Sequence, residues 1–333
     1  MSIRIGVIGT GIMGADHARI LHRDVPGAQV TMLADMDTAR AQAVANDIPG
    51  AIVTDSAQEI ITSSDVDAVL IASSDDTHTD YVLGCLDHRK PVLCEKPLAP
   101  SSADCLRLVD AEDAIVGDGV PLISVGFMRR FDPGYVELKS LVTSDDLGMP
   151  LLVHSTGRGV SAPAGTNELT VTGSAIHDID IAPWLLDSPI VEAAWFAPRQ
   201  SPAVSDRQDP QFILLRSANG VLVTVDVFLN AKYGYDVRCE VVGAERTASL
   251  TEPHLVVRDS GRTHGHGYAA DWRPRFADAY RLQNQAWVRS LRAGTPSPLA
   301  TATDGLQAAL VAEAVIASMH AGGGFAPVRG VKP

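Results

Sequence analysis

The stretch Ile3-Arg4-Ile5-Gly6-Val7-Ile8-Gly9-Thr10-Gly11-Ile12-Met13-Gly14 decides the fold of this chain. Its apolar run is typical of a buried parallel strand, and it leads directly into the pattern G-x-G-x-x-G and a helical segment over 13–24. In such a turn the first glycine permits a tight bend, the second lets a diphosphate approach the backbone, and the third lets the helix pack closely on the strand. The diphosphate then lies at the helix N-terminus, where unpaired N–H groups favour negative charge. We therefore expect a dinucleotide site that includes Gly9, Gly11, Ile12, Met13 and Gly14.

Strand and helix patterns alternate over the first 125 residues. Continuous apolar runs predict buried parallel strands at 3–8, 29–34, 68–72, 91–94 and 122–125. Helical spacing predicts helices over 13–24, 38–47, 57–62, 77–88 and 101–114, with N-caps at Thr38, Ser56 and Ser101. Repeated β-α-β units with right-handed crossovers predict a doubly wound Rossmann sheet.

The pattern changes after about residue 126. Strands follow one another at 151–154, 190–196, 211–216, 221–229, 236–243 and 248–250, with turn signals such as Asn219-Gly220. Helices are predicted over 133–143, 174–186, 276–292 and 304–320. The sequence therefore predicts an α/β protein with a Rossmann domain over 1–125, and a substrate domain with a largely antiparallel sheet over 126–333. We expect the site between these two halves.

The composition is that of an ordinary globular protein that is not attracted to polyanions. The 333 residues carry a formal net charge of −13, which argues against binding to nucleic acid or to an anionic membrane. Four cysteines occur without a Cys-x-x-Cys pair, as expected of free thiols in a reducing compartment. The apolar run at 3–8 is too short for a signal-peptide core, and we expect a cytoplasmic protein.

Asp35 is the candidate for coenzyme selection. It ends the second strand, about twenty residues after the glycine loop, where an acid accepts hydrogen bonds from the ribose diol. A carboxylate there repels a 2′-phosphate, so NAD is favoured over NADP. Two alternatives stay open: Asp35 or Asp37 caps the helix that starts at Thr38, and Arg40 leaves room for NADP.

A candidate base follows the fourth strand of the pattern, in Cys94-Glu95-Lys96-Pro97. Lys96 would lie at the carboxyl edge of the parallel sheet, where such folds hold their ligands. Apolar walls and a nearby cofactor cation favour the neutral amine, which can accept a proton at neutral pH.

Four motifs follow one another along the chain: the glycine loop, Glu95-Lys96-Pro97, Gly126-Phe127-Met128-Arg129-Arg130-Phe131-Asp132 and Ile176-His177-Asp178-Ile179-Asp180. This ordered set resembles the Gfo/Idh/MocA oxidoreductase family, typified by glucose–fructose oxidoreductase and inositol 2-dehydrogenase. The resemblance spans nearly the whole chain. Segments 233–243 and 271–280 resemble the inositol dehydrogenase branch in particular.

The resemblance implies a C-terminal α/β domain with an open, mainly antiparallel sheet, whose outer face commonly forms dimers or tetramers. It implies that Lys96 contacts both the nicotinamide ribose and the substrate, and that the Lys96–Pro97 peptide is often cis. Further cofactor contacts are expected from Ser73, His78 and Glu95. Substrate contacts are expected from Met128, Arg129, Arg158, Gly173, His177 and Tyr235.

Several of these residues also have an ordinary structural explanation. His78 can equally start a helix, and His177 can be a helix histidine bound to a backbone carbonyl. One of Arg129 and Arg130 is expected to pair with a carboxylate, and Tyr235 can belong to the core.

The chain departs from the family pattern at two places. The family carries an aspartate four residues before the histidine, where this chain has Gly173. Relatives near inositol dehydrogenase carry His-Arg-Asn where this chain has Gly157-Arg158-Gly159, and segment 162–169 could supply Asn167 or Glu168 instead. Unmatched polar groups discriminate strongly among polyols, so these losses put simple myo-inositol in doubt.

The function predicted is NAD-dependent oxidation of a ring secondary alcohol of inositol, or of a related cyclitol or sugar. A hydride passes to C4 of the nicotinamide, and Lys96 and His177 are the acid–base groups. Two alternatives are a ketone reductase acting on a modified cyclitol or amino sugar, and a non-catalytic regulator that senses NAD and a sugar. No metal is predicted, because the spacing of His254, His264 and His266 fits no standard site.

Overall fold

The structure is a computed structural model that describes residues 2–251 and 256–330. Its first sheet has six parallel strands in the order β3-β2-β1-β4-β5-β6, the doubly wound arrangement that the sequence predicts. The strands are β1 Ile3–Ile8, β2 Ala28–Ala34, β3 Ile52–Thr54, β4 Ala68–Ile71, β5 Val92–Glu95 and β6 Ile123–Gly126. The sequence reasoning missed β3, because this edge strand is partly exposed and, with three residues, is shorter than the runs that predict a strand.

The helices between these strands begin close to their predicted starts. They are α1 Ile12–Asp24, α2 Thr38–Ala45, α3 Ala57–Thr62, α4 His78–Asp87 and α5 Ser102–Val116. Ser56 and Ser101 are N-caps, as predicted, and each accepts a backbone hydrogen bond with its side chain. The N-cap prediction for Thr38 is wrong: Asp37 caps α2 by accepting from the Arg40 amide, and Thr38 is the first helical residue.

The second sheet has seven strands in the order β12-β11-β7-β10-β9-β8-β15. All its pairings are antiparallel except β7 with β10, so the prediction of a mainly antiparallel sheet is confirmed. Along β9 and β10 buried and half-buried residues alternate, as expected where helices cover one face of a sheet. Its strands are β7 Pro150–Arg158, β8 Ile190–Phe196, β9 Gln211–Ser217, β10 Leu222–Phe228, β11 Asp236–Gly243, β12 Thr247–Ser249 and β15 Ala326–Pro327, and a separate hairpin pairs β13 Arg258–Ser260 with β14 Thr263–Gly265.

The later helices include a π-helical turn, Val171–Ala175, directly before the helix that carries His177. Across the described ranges, 2–251 and 256–330, no helix is both long and apolar enough to cross a membrane. The helices are α6 Pro133–Thr143, α7 Asn167–Thr170, α8 Ile176–Leu186, α9 Trp272–Arg275, α10 Ala277–Ala293 and α11 Ala302–His320.

Backbone contacts divide the chain into two compact units. The first contains the described residues up to Phe131 together with Asp278–Ala309, and the second contains Asp132–Ala277 with the described residues from Leu310 onward. The segment Asp278–Ala309 contributes Trp287 and Leu299 to the core of the first unit. The predicted domain limits, 1–125 and 126–333, stay a prediction, and these contact units differ from them at 126–131 and 278–309.

A buried ion pair joins two of the motifs that carry the family resemblance. Arg275 donates to Asp132 at 2.8 Å, and both side chains are almost fully buried. Asp132 is also the N-cap of α6, where it accepts from the amides of Gly134 and Tyr135. Asp132 and Arg275 therefore each have a structural role, because their contacts stabilise the second unit.

Candidate active site

The glycine loop in the first unit has the geometry that a dinucleotide requires. Gly9 has φ +88°, and a Cβ there would lie 2.5 Å from the Ala72 carbonyl oxygen. A Cβ on Gly14 would lie 1.8 Å from the Gly9 oxygen, so helix and strand meet too closely for any side chain. A Cβ on Gly11 would meet nothing described within 4 Å. Open space thus remains beside the N-terminus of α1, where a diphosphate fits.

A cavity of about 310 Å³ opens beside this loop. Four of the predicted cofactor residues line it: Gly9, Gly11, Asp35 and Ser73. Ile12 is 60% exposed at the first turn of α1, so an apolar surface adjoins the loop. The volume and the lining suit a nucleoside held at the carboxyl edge of the parallel sheet.

Asp35 is fixed as a hydrogen-bond acceptor at the edge of this cavity. Its Oδ2 accepts from the Thr10 amide at 2.8 Å and from the Thr10 hydroxyl at 2.9 Å, and its Oδ1 accepts from the Asp37 amide at 2.9 Å. Burial alone would raise the pKa of Asp35, but these hydrogen bonds and the Arg40 guanidinium outweigh burial and hold it below its usual value. The carboxylate is therefore ionised and suited to the ribose diol. Asp37, not Asp35, is the helix cap.

Lys96 follows β5 directly, at the same edge of the sheet. The Lys96–Pro97 peptide is cis. Glu95 is buried, and its carboxylate accepts from His17 at 2.8 Å and from the Lys96 amide at 3.2 Å. Burial alone would raise the pKa of Glu95, but His17, Lys96 and these hydrogen bonds hold it below its usual value. A carboxylate thus lies beside the candidate base.

His78 has a different environment from the one expected of a cofactor ligand. It is fully buried and is the first residue of α4, which is its helix-start alternative. Its Nδ1 lies 2.8 Å from the Pro97 carbonyl oxygen, and its Nε2 lies 3.3 Å from that of Ser73. Direct contact between His78 and the cofactor stays a prediction.

The second unit carries His177 as the second residue of α8. Asp178 and Asp180, on the same helix, are buried, whereas His177 and Gly173 are half-buried. A Cβ on Gly173 would meet no described atom within 4 Å, so the glycine leaves open space one turn before the histidine.

The glycines at 157 and 159 have close neighbours of their own. A Cβ on Gly157 would lie 3.7 Å from Asp178 Oδ2, so this residue faces α8. A Cβ on Gly159 would lie 2.7 Å from the Leu229 carbonyl oxygen, which excludes an asparagine without a backbone shift. Packing against the end of β10 thus accounts for one departure from the family pattern.

Arg158 lies on the opposite face of the sheet from Gly157, because neighbouring strand residues alternate between faces. There it pairs with Asp226 of β10. Segment 162–169 is also engaged within the second unit: Asn167 accepts from the Gln208 amide at 2.6 Å, and Glu168 accepts from His320 at 2.8 Å. A substrate role for Arg158 stays a prediction.

The remaining substrate candidates lie near the end of the first unit and in the second unit. Arg130 pairs with Asp304 at 3.2 Å, Arg129 is buried, and a substrate role for Arg129 stays a prediction. Met128 is buried in the same turn. Tyr235 is half-buried, and its ring packs edge-to-face on Phe276 with centroids 6.4 Å apart.

Sequence reasoning missed one polar cluster of the first unit. His17 is 1% exposed on α1, where it bonds Glu95, and its Nδ1 lies 3.0 Å from the Asn284 amide nitrogen. Its only signal was a histidine on the apolar face of α1, among Ala15, Ala18 and Leu21. That signal does not name a partner 78 residues away.

The four cysteines and the histidines of the glycine-rich segment give no further chemistry. All four cysteines lie within the described residues, and each is buried and forms no disulfide. His264 pairs with Asp259 at 2.8 Å. His254 lies outside the described residues, and the part of the chain that is described contains no cluster of metal ligands.

Fold and site together define a dinucleotide-dependent oxidoreductase with a Rossmann unit and a second α/β unit. Residues 3–115 match the family described as "Oxidoreductase family, NAD-binding Rossmann fold", and residues 139–328 match "Oxidoreductase family, C-terminal alpha/beta domain". The chain belongs to the Gfo/Idh/MocA oxidoreductase family. The predictions of family, fold class, enzyme class and NAD as cofactor are confirmed.

Similar proteins extend over nearly the whole chain. Inositol 2-dehydrogenase 2 of Paenarthrobacter aurescens is 51% identical over 97% of this chain and 98% of its own length. Inositol 2-dehydrogenase 2 of Saccharopolyspora erythraea is 47% identical over 99% and 96%. The crystal structure of myo-inositol dehydrogenase from Lactobacillus casei in complex with NAD(H) and myo-inositol has a TM-score of 0.94 at 31% identity, covering 100% of this chain and 98% of that one.

Proposed function

We propose that this protein oxidises a ring secondary alcohol of inositol, or of a closely related cyclitol, to the ketone with NAD⁺. The observation that carries the proposal is that an ionised Asp35, a glycine loop with open space beside Gly11, and Lys96 all lie at one sheet edge, in a chain 51% identical to an inositol 2-dehydrogenase. The carboxylate selects the ribose of NAD, and the lysine supplies the base.

The residues of this chain have separate tasks in the proposed reaction. NAD⁺, when bound, accepts a hydride at C4 of its nicotinamide. Lys96 and His177 take up and hand on the hydroxyl proton, which is worth about two to four powers of ten in rate. Asp35 and the glycine loop hold the coenzyme in a fixed position. Correct placement of the reacting atoms supplies much of the remaining acceleration.

Gly173 favours a second candidate substrate, a cyclitol or amino sugar that carries a larger substituent. The space beside its Cα has room for such a group. With that substrate the same residues could also run the reaction as a ketone reductase. The regulator alternative requires NAD binding without turnover in either direction.

Location and assembly belong to the same proposal. We expect a cytoplasmic enzyme that forms a homodimer or homotetramer through the sheet face opposite α8. On that face lie half-buried Phe212, Leu214 and Leu222, together with the Arg158–Asp226 pair. Light scattering of the purified protein would measure the number of subunits.

The test is a panel of inositols, aminocyclitols and hexoses with NAD⁺, followed by NADH absorbance. Lys96→Met is expected to lower kcat by at least a hundredfold while the Kd for NADH stays within threefold of wild type, because the amine acts on the proton. The matched control is Lys232→Met, which removes an exposed lysine of the second unit and should leave kcat unchanged. Unchanged turnover of Lys96→Met, or NAD binding without turnover of any panel member, would refute the proposal.

A further inference from the structure

We infer that two buried histidines, His17 and His78, hold the peptide of Lys96 from its two sides and are positioning residues for the acid–base lysine. The inference rests on the proposed function, since it assigns a purpose to the lysine. His17 acts on the residue before the lysine, Glu95, and His78 acts on the residue after it, Pro97.

His17 reaches the lysine through Glu95. It is 1% exposed, and its Nε2 lies 2.8 Å from Glu95 Oε1. With the Asn284 amide assigned as the donor to Nδ1, Nε2 carries the proton and donates to the carboxylate. The Tyr280 ring stands edge-on to the imidazole, with centroids 5.5 Å apart, so the ring is fixed by packing as well.

Glu95 passes this constraint to the backbone of the lysine. Its Oε2 accepts from the Lys96 amide at 3.2 Å, so the carboxylate bridges His17 and the lysine backbone. A Cβ on Gly126, its partner on the neighbouring strand, would lie 3.0 Å from Glu95 Oε1. The glycine therefore makes room for this carboxylate, whose two oxygens are held by His17 and by the Lys96 amide.

His78 holds the other side of the lysine. It is fully buried, and its Nδ1 lies 2.8 Å from the Pro97 carbonyl oxygen. Its Nε2 faces the carbonyl oxygen of Ser73, which lines the dinucleotide cavity. A neutral imidazole has one N–H, and the shorter contact assigns it to Nδ1, so His78 donates to the Pro97 carbonyl and lies beside the wall of the coenzyme site.

Both histidines come from helices that start at the coenzyme edge of the sheet. His17 lies on α1, which begins in the glycine loop, and His78 is the first residue of α4, just after Ser73. The elements that hold the coenzyme therefore also set the position of the lysine Cα. This matters because a 1 Å misplacement of a reacting group can cost about a hundredfold in rate.

The experiment compares His17→Leu with His17→Gln. Leucine removes the donor to Glu95, and we expect kcat to fall at least tenfold, while KM for the polyol and the Kd for NADH stay within threefold. Glutamine keeps an N–H donor, and we expect it to recover kcat to within threefold of wild type. The matched control is His22→Leu, an exposed histidine on the same helix, which should leave kcat unchanged.

A second pair of variants distinguishes the loss of the positioning contact from the loss of any buried carboxylate. Glu95→Gln is expected to lower kcat at least tenfold, and Glu112→Gln is not, although both carboxylates are 8% exposed. A kcat unchanged in His17→Leu, or a Kd for NADH weakened as much as kcat falls, would overturn the inference. If His17→Leu does not fold, His17→Gln decides: a folded variant with kcat down more than tenfold overturns it.

A readout without turnover keeps the inference apart from the proposed function. Competitive acetylation in the coenzyme-free protein, read by mass spectrometry, gives the rate at Lys96 relative to exposed Lys232. We expect this ratio to change at least threefold in His17→Leu and to stay at the wild-type value in His22→Leu. An unchanged acetylation ratio in His17→Leu would refute the positioning role, whether or not the wild type is active. A wild type that is inactive on every polyol would refute only the proposed function.

Discussion

Replacing Asp35 by serine should change the coenzyme preference of this protein from NAD toward NADP. The carboxylate borders the dinucleotide cavity, and the Arg40 guanidinium lies 3.6 Å from its Oδ1. Serine removes the acceptor for the ribose diol and the negative charge that opposes a 2′-phosphate. It leaves Arg40 available to the phosphate, with Asp37 as its remaining acidic partner at 3.5 Å.

The size of the change follows from these contacts. A hydrogen bond to a charged group is worth about 1.5–3 kcal/mol, so losing one should weaken NADH binding roughly 10- to 150-fold. Two like unit charges 4 Å apart repel by about 4 kcal/mol at an effective dielectric constant near 20, and serine removes this penalty for NADPH. The ratio of the two dissociation constants should therefore change by at least about a hundredfold.

The assay is fluorescence titration of NADH and NADPH into one preparation, so that any unfolded fraction cancels in the ratio. This matters because serine also leaves the Thr10 and Asp37 amides without their acceptor. Asp37→Ser is the control: it removes a carboxylate two residues away and keeps an N-cap hydroxyl on α2, so the ratio should stay within threefold. A ratio within threefold of wild type for Asp35→Ser would show that this carboxylate does not meet the ribose.

Two further predictions concern stability. Arg275→Met leaves the Asp132 carboxylate buried without its cation and should lower the free energy of unfolding by about 3–5 kcal/mol, measured by urea denaturation; a loss below about 1 kcal/mol would contradict the reasoning. Glu112 accepts from the amides of Leu122 and Ile123, but burial outweighs these bonds and raises its pKa above the usual 4.5. A raised pKa contributes stability below the unfolded value that is lost as pH rises through the folded value, so wild type should lose stability relative to Glu112→Gln as pH increases above about 4.5. The measurement is urea denaturation of both proteins from pH 4 to 8. A difference in their free energies of unfolding that stays constant over this range would exclude the prediction.

Local sequence patterns were sufficient to predict those elements whose structure depends on the residues of a single segment. The glycine loop, five strands of the first sheet and the caps at Ser56 and Ser101 follow from periodicity and turn chemistry within a few residues. The pattern failed at β3, because this edge strand has only three residues and its Ile52 is exposed. It also misassigned the cap of α2, because Asp37 and Thr38 are adjacent and both are good caps.

Motif resemblance named residues without giving their partners. It offered both Arg129 and Arg130, and only the structure gives Asp304 as a partner of Arg130. It offered His78 as a cofactor contact or as a helix start, and only the structure shows that His78 begins α4 with both ring nitrogens near backbone carbonyl oxygens.

The sequence by itself determined the class of fold, the dinucleotide loop and the lysine at the end of β5, because each depends on a short run of neighbouring residues. Only the tertiary structure decided what lies beside them. His17 meets Glu95 across 78 residues, and Asn284 meets His17 across 267. Such contacts depend on strand order and on the return of Asp278–Ala309 to the first unit, and no local period encodes either.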